Sequence, residues 1–340
     1  MRILFYSPAF YPNVGGVEAV VAMVAEGLTA LGCSVKVVTT TPGTGDDASF
    51  PYDIVRFPSA ASMLSLLRWS DVFFHHNVSL KGIWPLLIVR RPWVVAHHGW
   101  YTRSNGSLGW QDWLKRFAAR FATNIAVSQS VADNLPVQCT VIPNPYRDDL
   151  FCKLPEVNRD RELVFLGRLV SQKGCDLLLD ALALLRSEGL KPRLTVIGNG
   201  PEESRLKERA QRLGLDNQVE FVGMKGGEEL VRLLNKHTIM IVPSRWNEPF
   251  GIVALEGIAC GCVILASSGG GLSDAVGPCG ITFPGDLQAL VNQIKVLLHN
   301  PHILSHFLSY AEDHLGKHAP LRIAGEYLDV LKKRVEHKRK

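Results

Sequence analysis

Along the chain, short β-branched apolar runs alternate with longer stretches whose apolar residues recur at helical spacing. Arg2–Tyr6 reads as a strand. A Pro/Gly loop follows from Pro8 to Gly16, then a helical pattern from about Val17 to Leu31. Further strands are predicted at Val35–Thr39, Ile54–Phe57, Val72–His75, Trp93–His97, Asn124–Val127 and Thr140–Ile142. Strands separated by helices imply parallel βαβ units, because a parallel neighbour is reached only by a long crossover.

The alternation then restarts. Strands are predicted at Leu163–Leu166, Arg193–Ile197, Val219–Val222 and Ile239–Val242, with Val263–Ala266 closing the series. Helices are predicted at Cys175–Glu188, Glu202–Leu213, Glu228–Lys236 and Ile252–Ala259. Between the halves, Pro143-Asn-Pro145 through Arg159 is polar and contains proline. The prediction is an α/β chain of two tandem Rossmann-like, doubly wound parallel-sheet domains, 1–150 and 151–319. A C-terminal helix at about 320–340 is expected to pack back on the first. Ligands of such sheets lie at the C-terminal ends of the strands.

Length agrees, since 340 residues suit two domains of about 150. With 46% hydrophobic and 20% charged residues, two cores can form and wholesale disorder is excluded. The longest apolar stretch, Ile83 to Trp100, is cut by Arg90-Arg91. A transmembrane helix needs about 20 apolar residues, so none is predicted. The N-terminus enters a strand at once with no secretory pattern, and the seven cysteines form no C-x-x-C. The expectation is a cytoplasmic chain with reduced thiols. In that setting Asn77-Val-Ser79 and Asn105-Gly-Ser107 are chance matches to a glycosylation pattern.

The net charge of +5 is carried by the end of the chain: Lys332 to Lys340 holds six Lys/Arg and one Glu. The remainder is neutral overall, so no nucleic-acid partner is expected. The basic tail reads either as a solvated terminus or as a contact for anionic lipid at the inner membrane face.

Four places carry candidate chemistry. Gly15-Gly16 follows the first strand and opens a helix bearing Glu18, an arrangement open to close backbone approach by an anion. A loop needing positive φ would explain the pair equally well. Gly167-Arg168 ends the first strand of the second half, and Lys173-Gly174 opens the next helix. Two cations there suit a diphosphate. Gly198-Asn-Gly200 and Gly223 end the next two strands, where a nucleotide's base and ribose would lie. The most specific stretch is Ser244-Arg-Trp-Asn-Glu248-Pro-Phe-Gly-Ile-Val-Ala-Leu-Glu256, with carboxylates eight residues apart. A helix starting near Pro249 would put Glu248 at its mouth and Glu256 two turns in. An acid among Ile252, Val253, Leu255 and Ile258 needs a partner, and sugar hydroxyls are good donors to it.

These motifs, in this order, resemble the retaining glycosyltransferases of family GT4, with the GT-B fold of two such domains and an interdomain cleft. Ile142-Pro-Asn144 and Gly269-Gly270-Gly271-Leu-Ser-Asp274 add to the likeness. The resemblance implies a nucleotide-sugar donor bound by the C-terminal domain, an acceptor bound by the N-terminal one, and no metal or other cofactor. It implies that Arg168 and Lys173 hold the diphosphate and that Glu248 accepts from the transferred sugar. The amides of Phe250, Gly251 and Ile252 would bind sugar and phosphate, Glu256 the ribose, and Gly15-Gly16 would close over the phosphates. Gly198 and Gly223 belong to the donor site. His98, which precedes Gly99, is the sugar-contacting histidine in preference to His97. The donor is expected to be a UDP-sugar, with GDP-mannose as second choice, and the acceptor a saccharide or lipid-linked hydroxyl in polysaccharide or glycoconjugate synthesis. Asn144-Pro145, Asp274 and Cys262-Val263 depart from common family patterns without removing a charged group from the site.

Four further readings stand beside this one. A nonhydrolysing nucleotide-sugar epimerase and a non-catalytic nucleotide-sugar-binding subunit share the fold. His75-His76 is read as structural rather than metal-binding. The stripe Trp110, Trp113, Leu114, Phe117 and Phe121, flanked by Lys115, Arg116 and Arg120, fits either an interfacial helix or a core-packed one.

Overall fold

The structure is a computed structural model and describes residues 1–13, 15–102 and 106–336. Asn105 and the last four residues of the basic tail lie outside the described residues. The chain divides into two compact units: residues 1–146 with the segment from His318 onward, and Arg147–Lys317.

The first unit runs β1 (Arg2–Tyr6), α1 (Gly16–Ala30), β2 (Ser34–Thr39), β3 (Asp53–Arg56), α2 (Ala60–Trp69), β4 (Val72–His76), β5 (Trp93–His97), α3 (Trp110–Ala118), β6 (Thr123–Ala126), α4 (Gln129–Asn134) and β7 (Cys139–Val141). Its seven strands form one parallel sheet in the order 3-2-1-4-5-6-7. The direction of strand addition reverses between β1 and β4. Their residues are almost wholly buried, as strands covered on both faces must be.

In the second unit the order is β8 (Arg161–Leu166), α5 (Cys175–Ser187), β9 (Leu194–Ile197), α6 (Glu203–Arg212), β10 (Val219–Gly223), α7 (Gly227–Asn235), β11 (His237–Val242), α8 (Ile252–Ala259), β12 (Val263–Ser267), α9 (Leu272–Val276), β13 (Gly280–Phe283), α10 (Leu287–His299), α11 (Pro301–Leu308) and α12 (Ala311–Gly316). Six parallel strands lie in the order 10-9-8-11-12-13. The reversal here falls between β8 and β11. The series does not close at Ala266 as the periodicity predicts. β13 extends the sheet, and α10 buries Leu290, Val291, Ile294 and Leu297 against the same core as α5. β13 is only four residues long, with two of them half-exposed, so its alternation is weak.

From Pro320, α13 (Pro320–Glu336) returns to the first unit and packs on α1. Gly27 of α1 faces Ala324, and a Cβ on Gly27 would meet the Ala324 methyl at 2.5 Å. The two small residues let the backbones approach, and Ile323, Tyr327 and Leu331 are then buried alongside.

α3 settles the two readings of the aromatic stripe against core packing. Only Ala118 of this helix is buried, while Trp110, Trp113 and Phe117 are exposed, as is Phe121 just beyond it. Among the described residues no helix is long and apolar enough to cross a membrane, and no cysteine is in a disulfide.

Candidate active site

The reversal point of the second sheet brings the loops after β8 and β11 side by side, and the predicted charges sit on them. Lys173 lies in a single 3-10 turn, Ser171–Lys173, just before α5. Its Nζ donates to Glu248 Oε1 at 2.8 Å. Glu248 is 7% exposed, and the same oxygen accepts from the Ser244 hydroxyl. Its other oxygen takes no hydrogen bond from a described residue. The Arg168 side chain is exposed at the end of β8 and makes no ion pair among the described residues.

Backbone contacts fix these loops. The Gln172 carbonyl accepts from the amides of Arg245 at 2.9 Å and Trp246 at 3.3 Å. The Arg245 guanidinium pairs with Asp176 at 2.5 Å. Burial works to raise the Asp176 carboxyl, but the Arg245 hydrogen bond and charge outweigh it and hold the group below its usual range. Gly174 has φ 69°, and a Cβ there would collide with the Pro243 carbonyl. That collision-free fit is what lets the Lys173 turn lie on the Glu248 loop. On the far side, Gly270 at φ 71° bridges Glu248, and the Gly271 amide donates to the Glu248 carbonyl at 2.6 Å.

The glycines after β9 and at the end of β10 hold the loop that carries Arg168. Gly167 donates to Ile197, Leu169 to Asn199, and Gly198 to Gly223, at 2.8–3.0 Å. Cβ atoms on Gly198 and Gly200 would strike the carbonyls of Gly167 and Leu169. Close packing of backbones therefore accounts for both glycines.

The helix after Glu248 starts at Ile252, where the spacing predicts it, and not near Pro249. Pro249 lies outside it, Gly251 is the N-cap at φ 105°, and Ile252 is the first helical residue. A Cβ on Gly251 would run into Leu272. Glu256 is therefore little more than one turn in, not two. Its carboxylate is partly buried with no hydrogen-bond partner among the described residues, and burial pushes it up to about 7. As the first helical residues, Ile252 and Val253 have amides without acceptors inside the helix. Phe250 is fully buried.

In the first unit, Gly15 caps α1 in an extended conformation, φ −168°, so positive φ does not explain the Gly15-Gly16 pair. The Glu18 carboxylate folds back over Gly15 and fills the space of a Cβ. His97 is held from both sides, by Tyr101 Oη at 2.7 Å and Asn124 Oδ1 at 3.0 Å. Both of its ring nitrogens are thereby occupied. His98, at the end of β5, places Nε2 2.9 Å from Nδ1 of His76 and leaves Nδ1 without a partner. Burial, with the neighbouring His97, holds His98 down to about 3. It is a neutral imidazole near pH 7. His75 packs against Tyr6, with ring centroids 4.9 Å apart.

The chain matches two family models in succession: "Glycosyltransferase Family 4" over residues 14–149 and "Glycosyl transferases group 1" over 147–314. It belongs to the family 4 (group 1) glycosyltransferases. A D-inositol 3-phosphate glycosyltransferase of Saccharomonospora viridis is 42% identical over 123 residues, 34% of this chain and 28% of that protein. The chain thus matches about a third of the first curated relatives' length. A phosphatidyl-myo-inositol mannosyltransferase of Mycobacterium leprae is 26% identical over 88% of each. The Anabaena HepE structure, in complex with UDP-glucose, superposes with a TM-score of 0.79 at 21% identity, covering 98% of this chain and 100% of that one. That likeness shows the fold.

Three features of this glycosyltransferase are set by tertiary contacts and not by local sequence. Ser244 stands four residues before Glu248, a spacing that does not by itself show that its hydroxyl binds Glu248. The Arg245–Asp176 pair joins residues far apart in the chain. His76 was visible as half of a histidine pair, yet its partner is His98, not a metal or His75.

Proposed function

We propose that the chain transfers a sugar from a nucleotide-sugar donor to a hydroxyl of a saccharide or lipid-linked acceptor, with retention and without a metal ion. A UDP-sugar is the first choice of donor and GDP-mannose the second; the UDP-glucose held by the similar HepE supports that order. The observation that carries the proposal is the Lys173–Glu248 contact at the sheet's reversal point, with Arg168 exposed on the same loop as Lys173 and Glu256 without a hydrogen-bond partner among the described residues.

Each group has a task there. Departure of the nucleoside diphosphate builds negative charge, which Arg168 and Lys173 stabilise as preorganised cations. Lys173 also holds Glu248 by its Oε1, so the carboxylate's second oxygen can accept from a hydroxyl of the transferred sugar. The amides of Phe250, Gly251 and Ile252 at the start of α8 bind sugar and phosphate. Glu256 takes the ribose hydroxyls as partners, and Gly198 and Gly223 border the nucleotide. In the first unit, His98 offers its neutral ring to a sugar hydroxyl, and Gly15-Gly16 leave backbone amides open to phosphate. The attacking hydroxyl comes in on the leaving group's face, and the departing phosphate takes its proton. Two cations take the place of a metal, and the chain contains no Asp-x-Asp.

A thermal-shift series with UDP- and GDP-sugars, followed by assay of sugar transfer with the best binder, tests this. A donor raises the melting temperature with its concentration. Epimer formation in place of transfer, or binding without either, overturns it in favour of an epimerase or a binding subunit.

A further inference from the structure

The first unit exposes an aromatic face that a water-facing helix would bury. In α3 the alanine side is turned inward and the large side outward: Trp110 is 68% exposed, Trp113 59%, and Phe121 just beyond the helix 66%. Trp113 and Phe117 stack with centroids 5.6 Å apart, and Phe117 meets Phe121 at 5.5 Å. The 3-10 turn Trp84–Leu87 lies opposite, with Leu87 87% exposed. Between them runs a groove of about 520 Å³ lined by Leu86, Leu87, Leu114, Phe117 and Phe121, together with Arg90 and Arg91. Large contiguous apolar patches on a protein surface mark binding sites.

Charge indicates what covers this one. Between Asp71 and Asp133 the chain has one carboxylate, Asp112, and seven Lys/Arg: Lys81, Arg90, Arg91, Arg103, Lys115, Arg116 and Arg120. Asp112 is occupied by the Gly109 amide at the start of α3. A chain that is neutral outside its tail thus concentrates positive charge on the segment that exposes its aromatics. Arg120 lies 5.9 Å from the Phe117 ring, and Arg116 donates to Asn134 on the exposed surface. Two copies meeting through this face would set like charges against each other.

We propose that this face docks on the surface of an anionic lipid bilayer. Trp110, Trp113, Phe117, Phe121 and Leu87 enter the headgroup boundary, where tryptophan is favoured. The long basic side chains remain at phosphate level, their stems lying along the apolar groups. This goes beyond the transfer reaction and does not depend on which donor or acceptor is used.

The test is co-sedimentation of the full chain with vesicles of phosphatidylglycerol and phosphatidylcholine, and with phosphatidylcholine alone, at low and high salt. Binding is expected to the anionic vesicles, weakened by salt. Trp113→Ser/Phe117→Ser/Phe121→Ser and Lys115→Gln/Arg116→Gln/Arg120→Gln should each weaken it by about tenfold or more. Leu87→Gln, at a fully solvated position, serves should a triple variant fail to fold. Equal binding to both vesicle types, unchanged binding of folded variants, or no binding at all overturns the proposal. So does concentration-dependent dimerisation, abolished by the aromatic variant, without vesicle binding; it would assign the face to a second copy.

Discussion

Lys173 and Glu248, 75 residues apart, meet at 2.8 Å because β8 and β11 are neighbours where the second sheet reverses direction. The contact makes one unit of two groups that the motifs presented separately. Glu248 is nearly buried, whereas Lys173 is about a third exposed, so the cation can be shared with a ligand while the carboxylate stays in place.

Arg168 and Lys173 should separate in their effect on folding. Each alanine variant is expected to cost about 2–4 kcal/mol of transition-state stabilisation as a lost charge donor. Lys173→Ala also strands a buried carboxylate and should lower the melting temperature, whereas Arg168→Ala should leave it unchanged. Steady-state kinetics beside thermal melts checks both. Near-normal turnover in the two variants would refute the diphosphate site.

The two acids should divide between rate and binding. Sugar contacts can strengthen as charge develops, whereas ribose contacts are nearly the same in ground and transition states. Glu248→Gln is expected to lower kcat more than it weakens UDP binding. Glu256→Gln should weaken donor and bare UDP alike, by about 1–3 kcal/mol. Calorimetry with UDP and GDP, run beside kinetics, decides; the reverse pattern would mean the roles are exchanged.

A pH dependence follows from Glu256. Its carboxyl is raised from 4.5 to about 7 by burial. Between those values the folded chain holds the proton and the unfolded chain does not. The stability it contributes is therefore complete at low pH and is lost as pH rises through about 7. Ribose hydroxyls prefer the ionised form, so UDP-glucose should bind more tightly, with proton release, as pH rises from about 6 to about 8. The diphosphate of UDP-glucose is esterified at both ends and does not titrate in this range. Calorimetry in buffers of different ionisation enthalpy reads the released proton, and Glu256→Gln should abolish it. A pH-independent wild type would contradict the ribose assignment.

Gly174 should be more demanding than its φ alone requires. Gly189 has φ 88° with open space around it, whereas a Cβ on Gly174 meets the Pro243 carbonyl. Gly189→Ala is expected to cost about 1–2 kcal/mol of left-handed strain. Gly174→Ala should cost more and also weaken UDP binding, because the Lys173 turn is pushed off the Glu248 loop. Equal destabilisation in denaturant melts, with UDP affinity intact, would remove that link.

Chelation should leave sugar transfer intact. EDTA treatment followed by assay tests it, and activity lost to EDTA and restored by Mn²⁺ would show that the phosphate site needs a metal.

Much of the fold was local information and could be read from the chain. β1, β5 and α8 fall where apolar runs and helical spacing put them, and Arg168, Lys173, Glu248 and Glu256 stand in motifs whose kind and order resemble those of the family that the chain matches. Periodicity is a property of neighbouring residues, and it survives without knowledge of the rest of the molecule. What it cannot carry is which strands pair, because that depends on the whole sheet. The order 10-9-8-11-12-13 decided that Lys173 would touch Glu248, and the approach of β4 to β5 decided that His98 would meet His76. The surroundings of the α8 N-cap were likewise tertiary: Gly251 is left-handed there, and the Leu272 side chain occupies the space where a Cβ would be. The stripe on α3 shows the same division. Spacing established that its aromatics share a face, but only the packing of Ala118 and Ala119 inward decided that this face would meet solvent.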